Sequence, residues 1–142
     1  YNQLRWYGRG HQECYADRKS SALVGIYTGT VEDMHEHYVK PCECGGREDV
    51  RWLEITDQDG YGVKVTGKDL FHFSALPWTV EEYDQAAYED DLPQSHGTSL
   101  CLDGFHAGLG GDTGWTKNIH PEYRIPQGNY LYGFTLLWLE PR

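Results

Sequence analysis

Apolar residues in this chain come in short bursts, and that limits what it can fold into. "SSALVGIYTGTV", "VRWLEIT", "GVKVTG", "TSLCLDGF" and "NYLYGFTLLWL" are rich in β-branched and aromatic residues and bounded by Gly, Asp or Pro. Runs of this length and make-up suit strands rather than helices. In "VRWLEITDQDGYGVKV" two alternating runs flank Asp57 to Gly60, whose Asp-Gly pair suits a turn that needs positive φ, so a hairpin is expected. One short helix is expected near 79–90: Pro77 and Pro93 bracket it, Thr79 and Glu82 have capping-box spacing, Val80, Tyr83 and Ala87 share a face, and Glu81 and Glu82 sit at its positive end. Several strands with one helix predict an all-β antiparallel sandwich, and 142 residues without an internal repeat or linker predict a single domain over 1–142.

Charge and hydropathy remove whole classes of function. The formal charge is −10, and the 12 Lys and Arg are scattered, with no cluster that could neutralise a run of phosphates. A nucleic-acid partner is not expected. No apolar run approaches the ~20 residues that span a bilayer, and "YNQLRWYGRG" lacks the basic end and apolar stretch of a signal peptide, so no membrane partner is expected either. The chain starts at Tyr1 and its one methionine is Met34, which leads to the expectation that it is a piece of something longer.

Four cysteines, Cys14, Cys42, Cys44 and Cys101, are too few for a disulfide scaffold, so a reducing, cytoplasmic setting is the expectation. "HEHYVKPCEC" offers a zinc alternative: on extended backbone His35 with His37, and Cys42 with Cys44, would each point to one face. Small buried thiols are the plainer reading, and no metal is expected.

The segment "DGFHAGLGGDTGW" puts five glycines into residues 103–115 and ends on Trp115. It is no phosphate loop, because Thr113 stands where the dinucleotide fingerprint needs its third glycine and no lysine sits at the P-loop position. Asp112-Thr113-Gly114 is the tripeptide of aspartic proteases, and with one copy it would require a homodimer. A glycosidase needs two carboxylates about 5 Å apart for a retaining mechanism, and Glu13, Asp17, Glu43 and Asp49 can be nominated. Neighbouring Arg18, Arg47 and Arg51 favour structural ion pairs for them instead. His106 and His120, each beside aromatic residues, read as hydrogen-bonded structural histidines on the same grounds.

Taken together the motifs resemble a family. Gly-x-Gly-x-x-Glu-x-Tyr-x-Asp-Arg at Gly8 to Arg18, Pro-x-Glu-x-Gly with Asp-Val-Arg-Trp at Pro41 to Trp52, Phe-Ser-Ala-Leu-Pro at Phe73 to Pro77, and the glycine stretch followed by "HPEYRI" occur in that order. The order resembles the C-terminal part of β-galactosidases of glycoside hydrolase family two, over nearly the whole chain. The resemblance implies a supersandwich last domain similar to galactose mutarotase, of which this chain would be the C-terminal half. It implies a catalytic pair of glutamates in a separate (β/α) barrel of the parent, where the acid/base glutamate follows an asparagine. Here Asn2, Asn118 and Asn129 precede Gln, Ile and Tyr, so the chain alone is expected to be inactive and to carry no catalytic residue.

The resemblance also implies a role for Trp115. In the family the corresponding loop reaches the barrel mouth and presents its terminal tryptophan to the sugar, so Trp115, with Asp112 and His106, become candidates for substrate contact. An aromatic face suits the C–H face of a pyranose, and glycines permit the turns that aim it. Family members usually have Gly-Gly-Asp-Asp-Ser-Trp where this chain has Gly111-Asp112-Thr113-Gly114-Trp115, and polar residues where Cys42 and Cys44 stand. Implied partners are the barrel and other domains of a homo-oligomeric parent that hydrolyses β-galactosides such as lactose. Implied cofactors, Mg and Na, lie outside this domain. A free-standing carbohydrate-binding module using Trp115, Trp78 and nearby tyrosines is the alternative, with the Asp112 protease behind it. Loss of the first half of the sandwich is expected to leave open edges and an uncovered apolar face.

Overall fold

The computed structural model describes residues 1–110 and 118–141. It shows one open, wholly antiparallel sheet of six strands: β1 (Gln3–Arg9), β2 (Val24–Thr30), β3 (Arg47–Thr56), β4 (Gly62–Leu76), β5 (Ser99–Asp103) and β6 (Phe134–Leu139). The order is β2-β1-β3-β4-β5, with β6 also on β4. The long β4 makes this arrangement work. β3 follows one side of it, while β5 pairs with residues 72–76 and β6 with residues 62–67. The all-β antiparallel class is as expected, and the described sheet is consistent with a sandwich.

The hairpin forms where its turn chemistry predicts. The Asp57 carboxylate accepts from the backbone N–H of Asp59 (3.0 Å) and Tyr61 (2.9 Å), and Gly60 adopts φ +93°. The helix expected over 79–90 is shorter. Thr79 and Glu82 do form a capping box, but the helix, α2 (Val80–Gln85), stops there, a 3-10 turn follows at Glu89–Asp91, and it is Ala86 rather than Ala87 that is buried. A second helix, α1 (Val31–Met34), is also capped by Thr30 and Asp33. Strand β1 carries an alternation absent from the sequence reading: Leu4 and Trp6 face the core while Arg5 and Tyr7 face out. "HEHYVKPCEC" is not strand but loop.

The core lies on one face of the sheet. Leu4, Trp6, Val50, Leu53, Val65, Phe71, Phe73 and Ala75 pack there, closed at one end by Val31, Met34, Leu76 and Tyr83. Arg47 also faces this side, buried, with its guanidinium 5.3 Å from the Trp6 ring centre. Among the described residues no helix is long and apolar enough to cross a membrane.

Candidate functional site

The glycine stretch leaves the sheet at the end of β5, and its first residues are fixed by a side chain of the first sequence motif and by the backbone of "HPEYRI". The Asp17 carboxylate accepts from the backbone N–H of Leu109 (3.1 Å) and Gly110 (2.6 Å). Gly108 donates to the Tyr123 carbonyl at 2.8 Å, and a Cβ on it would lie 2.7 Å from the Asp17 carboxyl carbon, so only glycine lets the backbone come this close. Gly110, at φ +74°, then turns the chain. Trp115 and Asp112 lie outside the described residues.

His106 sits on a ledge built from β4. Its ring stacks on His72 with centroids 4.1 Å apart and planes at 22°, and both histidines pack near Tyr15, at 5.4 and 5.5 Å. His72 is buried because alternation along "LFHFSAL" turns it away from Phe71 and Phe73, onto the face covered by the loop that carries Tyr15. The close fit again depends on a glycine: a Cβ on Gly46 would come within 2.5 Å of His72 Cε1 and 2.7 Å of Tyr15 Cε1. His72 Nδ1 lies 2.9 Å from Glu48 Oε1, while Nε2 is buried with no hydrogen-bond partner among the described residues.

Charges organise the floor of this ledge. Lys19 bridges Glu48 (3.1 Å) and Asp49 (2.8 Å), and Arg9 holds Asp49 from the other side at 2.5 Å. Burial alone would raise the pKa of Glu48 and Asp49. Hydrogen bonds and charge from His72 and Lys19 for the first, and from Lys19 and Arg9 for the second, outweigh it and hold both carboxyls below their usual range. Asp49 takes φ +53°, the left-handed region rare for a non-glycine residue, where the β3–β4 register shifts between Arg47 and Val50. A groove of about 230 Å³ opens here, lined among others by Lys19, Glu48, His72 and His106.

The nominated acids therefore have structural work, with different partners from those their sequence neighbours suggested. Arg18 pairs with Glu13, not Asp17, and Glu13 also accepts from Tyr38 and from the Gly45 backbone N–H at 3.1 Å. Asp49 pairs with Arg9 and Lys19, while Arg51 donates to the Asp49 backbone carbonyl and Arg47 turns inward to the carbonyls of Gly45, Gly46 and His11. Glu43 is exposed and reaches the Tyr15 hydroxyl at 3.4 Å. Exposed His120 leads into a 3-10 turn at Pro121–Tyr123, its carbonyl accepting from Tyr123. Sequence reasoning missed His72 and Lys19 altogether. A histidine between two core phenylalanines was the available signal for the first, and nothing local marked the second.

Among the described residues two groups of side chains could supply metal ligands: Glu43, His72 and His106, and His35, His37 and Glu89. The zinc set of His35, His37, Cys42 and Cys44 is not assembled as the spacing suggested. Cys44 Sγ is 4.0 Å from His35 Nδ1, but Cys42 is exposed and lines a separate cavity with Cys101. Burial pushes the Cys44 thiol up to about 11 and raises Cys42, so neither is a ready thiolate. Trp78 is engaged as well: its N–H donates to the Pro93 carbonyl at 2.7 Å and its ring meets His35 and Tyr83 edge-on.

Comparison with known proteins gives one consistent result. Residues 1–136 match the family described as beta galactosidase small chain. Beta-galactosidase BgaC of Bifidobacterium adolescentis is 40% identical over 129 residues, which cover 89% of this chain and 12% of that protein. The beta-galactosidase of Vibrio cholerae is 38% identical over 135 residues (95% and 12%), and that of Priestia megaterium 34% identical over 137 residues (96% and 13%). The chain spans about an eighth of the length of the curated relatives it matches.

Proposed function

The chain belongs to the beta galactosidase small chain family, and from that premise we propose that it is a non-catalytic part of a larger β-galactosidase, completing the rim of an active site built elsewhere. The observation that carries this reading is the rigid base of the glycine stretch. Asp17, Gly108 and the His72–His106 stack fix the backbone up to Gly110, immediately before the segment that ends in Trp115. A loop that must place one aromatic ring against a sugar needs such an anchor, because loose positioning of a substrate contact costs rate. Asp112 and His106 would contribute polar contacts beside it.

Further features of the proposal follow the family resemblance. The parent is a retaining glycoside hydrolase of family two acting on β-galactosides such as lactose, with its catalytic glutamates in a (β/α) barrel and its Mg and Na outside this domain. The chain is the C-terminal half of the last, supersandwich domain of a cytoplasmic homo-oligomer, and it does not hydrolyse substrate alone. The uncovered side of β6 supports a missing half: Leu136 and Trp138 lie on the core face yet are 64% and 54% exposed. A free-standing sugar-binding module has less support, since Trp78 is committed to the fold.

The test is complementation. Parent enzyme lacking this segment is assayed on a chromogenic β-galactoside with and without the separately purified chain, as wild type and as Trp115→Ala. Restoration by the wild type, much reduced with Trp115→Ala and absent for the chain alone, is the expected outcome. A folded, sugar-binding chain that restores nothing would instead favour the independent module, and turnover by the chain alone would sink both.

A further inference from the structure

The two histidines of "HEHYVKPCEC" meet a partner that lies far away in sequence. The chain leaves α1 at His35 in extended backbone and carries both rings to the 3-10 turn at Glu89–Asp91. His35 Nε2 lies 3.2 Å from Glu89 Oε1, and His37 Nδ1 contacts the same oxygen. One potential ligand atom from each residue lies within 4.8 Å of the other two. Ligands held ~2.1 Å from a tetrahedral ion stand roughly 3.4 Å apart, so little movement is needed.

Ring orientation separates this cluster from the other histidine pair. The planes of His35 and His37 meet at 78° with centroids 4.7 Å apart, so their in-plane lone pairs can converge on one point. His72 and His106 are stacked at 22°, and nearly parallel, offset rings cannot both hold one ion in plane. His35 is also oriented from behind. Its Nδ1 lies 2.8 Å from the Tyr83 hydroxyl and its ring abuts Trp78 at 5.1 Å, both in the packed end of the core. When Nδ1–H donates to that hydroxyl, the Nε2 lone pair is left facing Glu89, which is how metal-binding histidines are usually fixed. The Glu89 turn is steadied by the Asp91 carboxylate, which accepts from the Ala87 and Tyr88 backbone N–H groups.

We propose that His35 Nε2, His37 Nδ1 and a Glu89 carboxylate oxygen form a site for one divalent transition-metal ion of borderline softness, of which zinc is the representative. Two imidazoles and a carboxylate suit such an ion, and water completes its coordination. His37 is exposed and Glu89 partly so, which gives the ion a path from solvent. Bound there, it ties the segment after α1 to the turn after α2, across more than fifty residues of sequence. The cysteines take no part: Cys44 lies on the Tyr83 side of His35, away from the converging atoms, and Cys42 lines a cavity to which none of the three ligand residues contributes.

The intact protein, stripped with a chelator, is titrated with zinc in competition with a chromophoric chelator, as wild type, His37→Ala and Glu89→Gln. Both substitutions fall at positions outside the packed core, so folding is retained. Wild type is expected to take up one zinc more than either variant. Full uptake by either variant would overturn the proposal. Cobalt(II) then identifies the ligands: a site of nitrogen and oxygen gives weak visible bands alone. A strong thiolate-to-cobalt band in the near ultraviolet that disappears with Cys44→Ser would overturn it in favour of the cysteine set.

Discussion

Strand β4 runs through two different surroundings. From Phe71 to Leu76 every residue is buried, with Phe71, Phe73 and Ala75 in the core, His72 against Tyr15 and Ser74 beside Cys42 and Cys101. From Gly62 to Gly67 the same strand pairs with β6, whose Leu136, Leu137 and Trp138 are all more than half exposed. One half of the strand is a finished interior that anchors the glycine stretch; the other has its pairing but lacks a cover. Both halves are paired in the sheet, so what distinguishes them is side-chain burial, the dominant favourable contribution to folding.

The largest test of that contrast is Phe73→Ala. Phe73 is fully buried and meets Trp6 edge-on at 5.9 Å, so its loss should destabilise the fold by about 3–5 kcal/mol in urea unfolding. A loss below about 1 kcal/mol would mean that this end is no better packed than the other. Asp17→Ala should act at the site more than on the fold. It removes the acceptor for two backbone N–H groups at the base of the glycine stretch, costing about 1 kcal/mol of stability. In the complemented parent enzyme it should lower kcat/KM about tenfold, and unchanged kinetics would separate the anchor from the proposed rim.

Lys19→Met probes the charged floor of the finished end, with an effect below about 1 kcal/mol at neutral pH. Glu48 and Asp49 are held below their ordinary pKa in the folded state, so they stabilise it above the unfolded values near about pH 4, and that contribution is lost as pH falls through the lowered folded values. The wild-type advantage over Lys19→Met should therefore be complete above about pH 5 and shrink below about pH 4. A difference independent of pH in that window would mean that Lys19 acts by packing its stem.

What the sequence made legible was local. The 57–60 turn and the Thr79 cap work through neighbours a few residues away, and both form as expected. The helix end was misjudged because alanines and acids continue a helical pattern past Gln85, while Asp91 instead folds back onto the N–H groups of Ala87 and Tyr88. At the site, His106 could be named, yet the residues that hold it could not. Asp17 reaches across more than ninety positions, and His72 couples to Glu48 and Lys19 from separate segments. Arginine neighbours suggested ion pairs for the acids, and ion pairs do form, but tertiary packing chose Arg9 and Lys19 rather than adjacent residues.

The smallest expected effect falls at the uncovered end. Leu136 pairs with Val65 and points to the core face, yet it remains 64% exposed, so truncation removes little buried area. Leu136→Ala should change the stability of this chain by no more than about 0.5 kcal/mol, against the several lost at Phe73. If the bare β6 face is where the rest of the parent docks, the same substitution should weaken complementation far more than it weakens folding, because the leucine becomes buried only in the assembly. Equal small effects on both would leave this face an ordinary surface. A large loss in the isolated chain would show that copies of the chain already cover it, and stability that rises with protein concentration would identify that self-association.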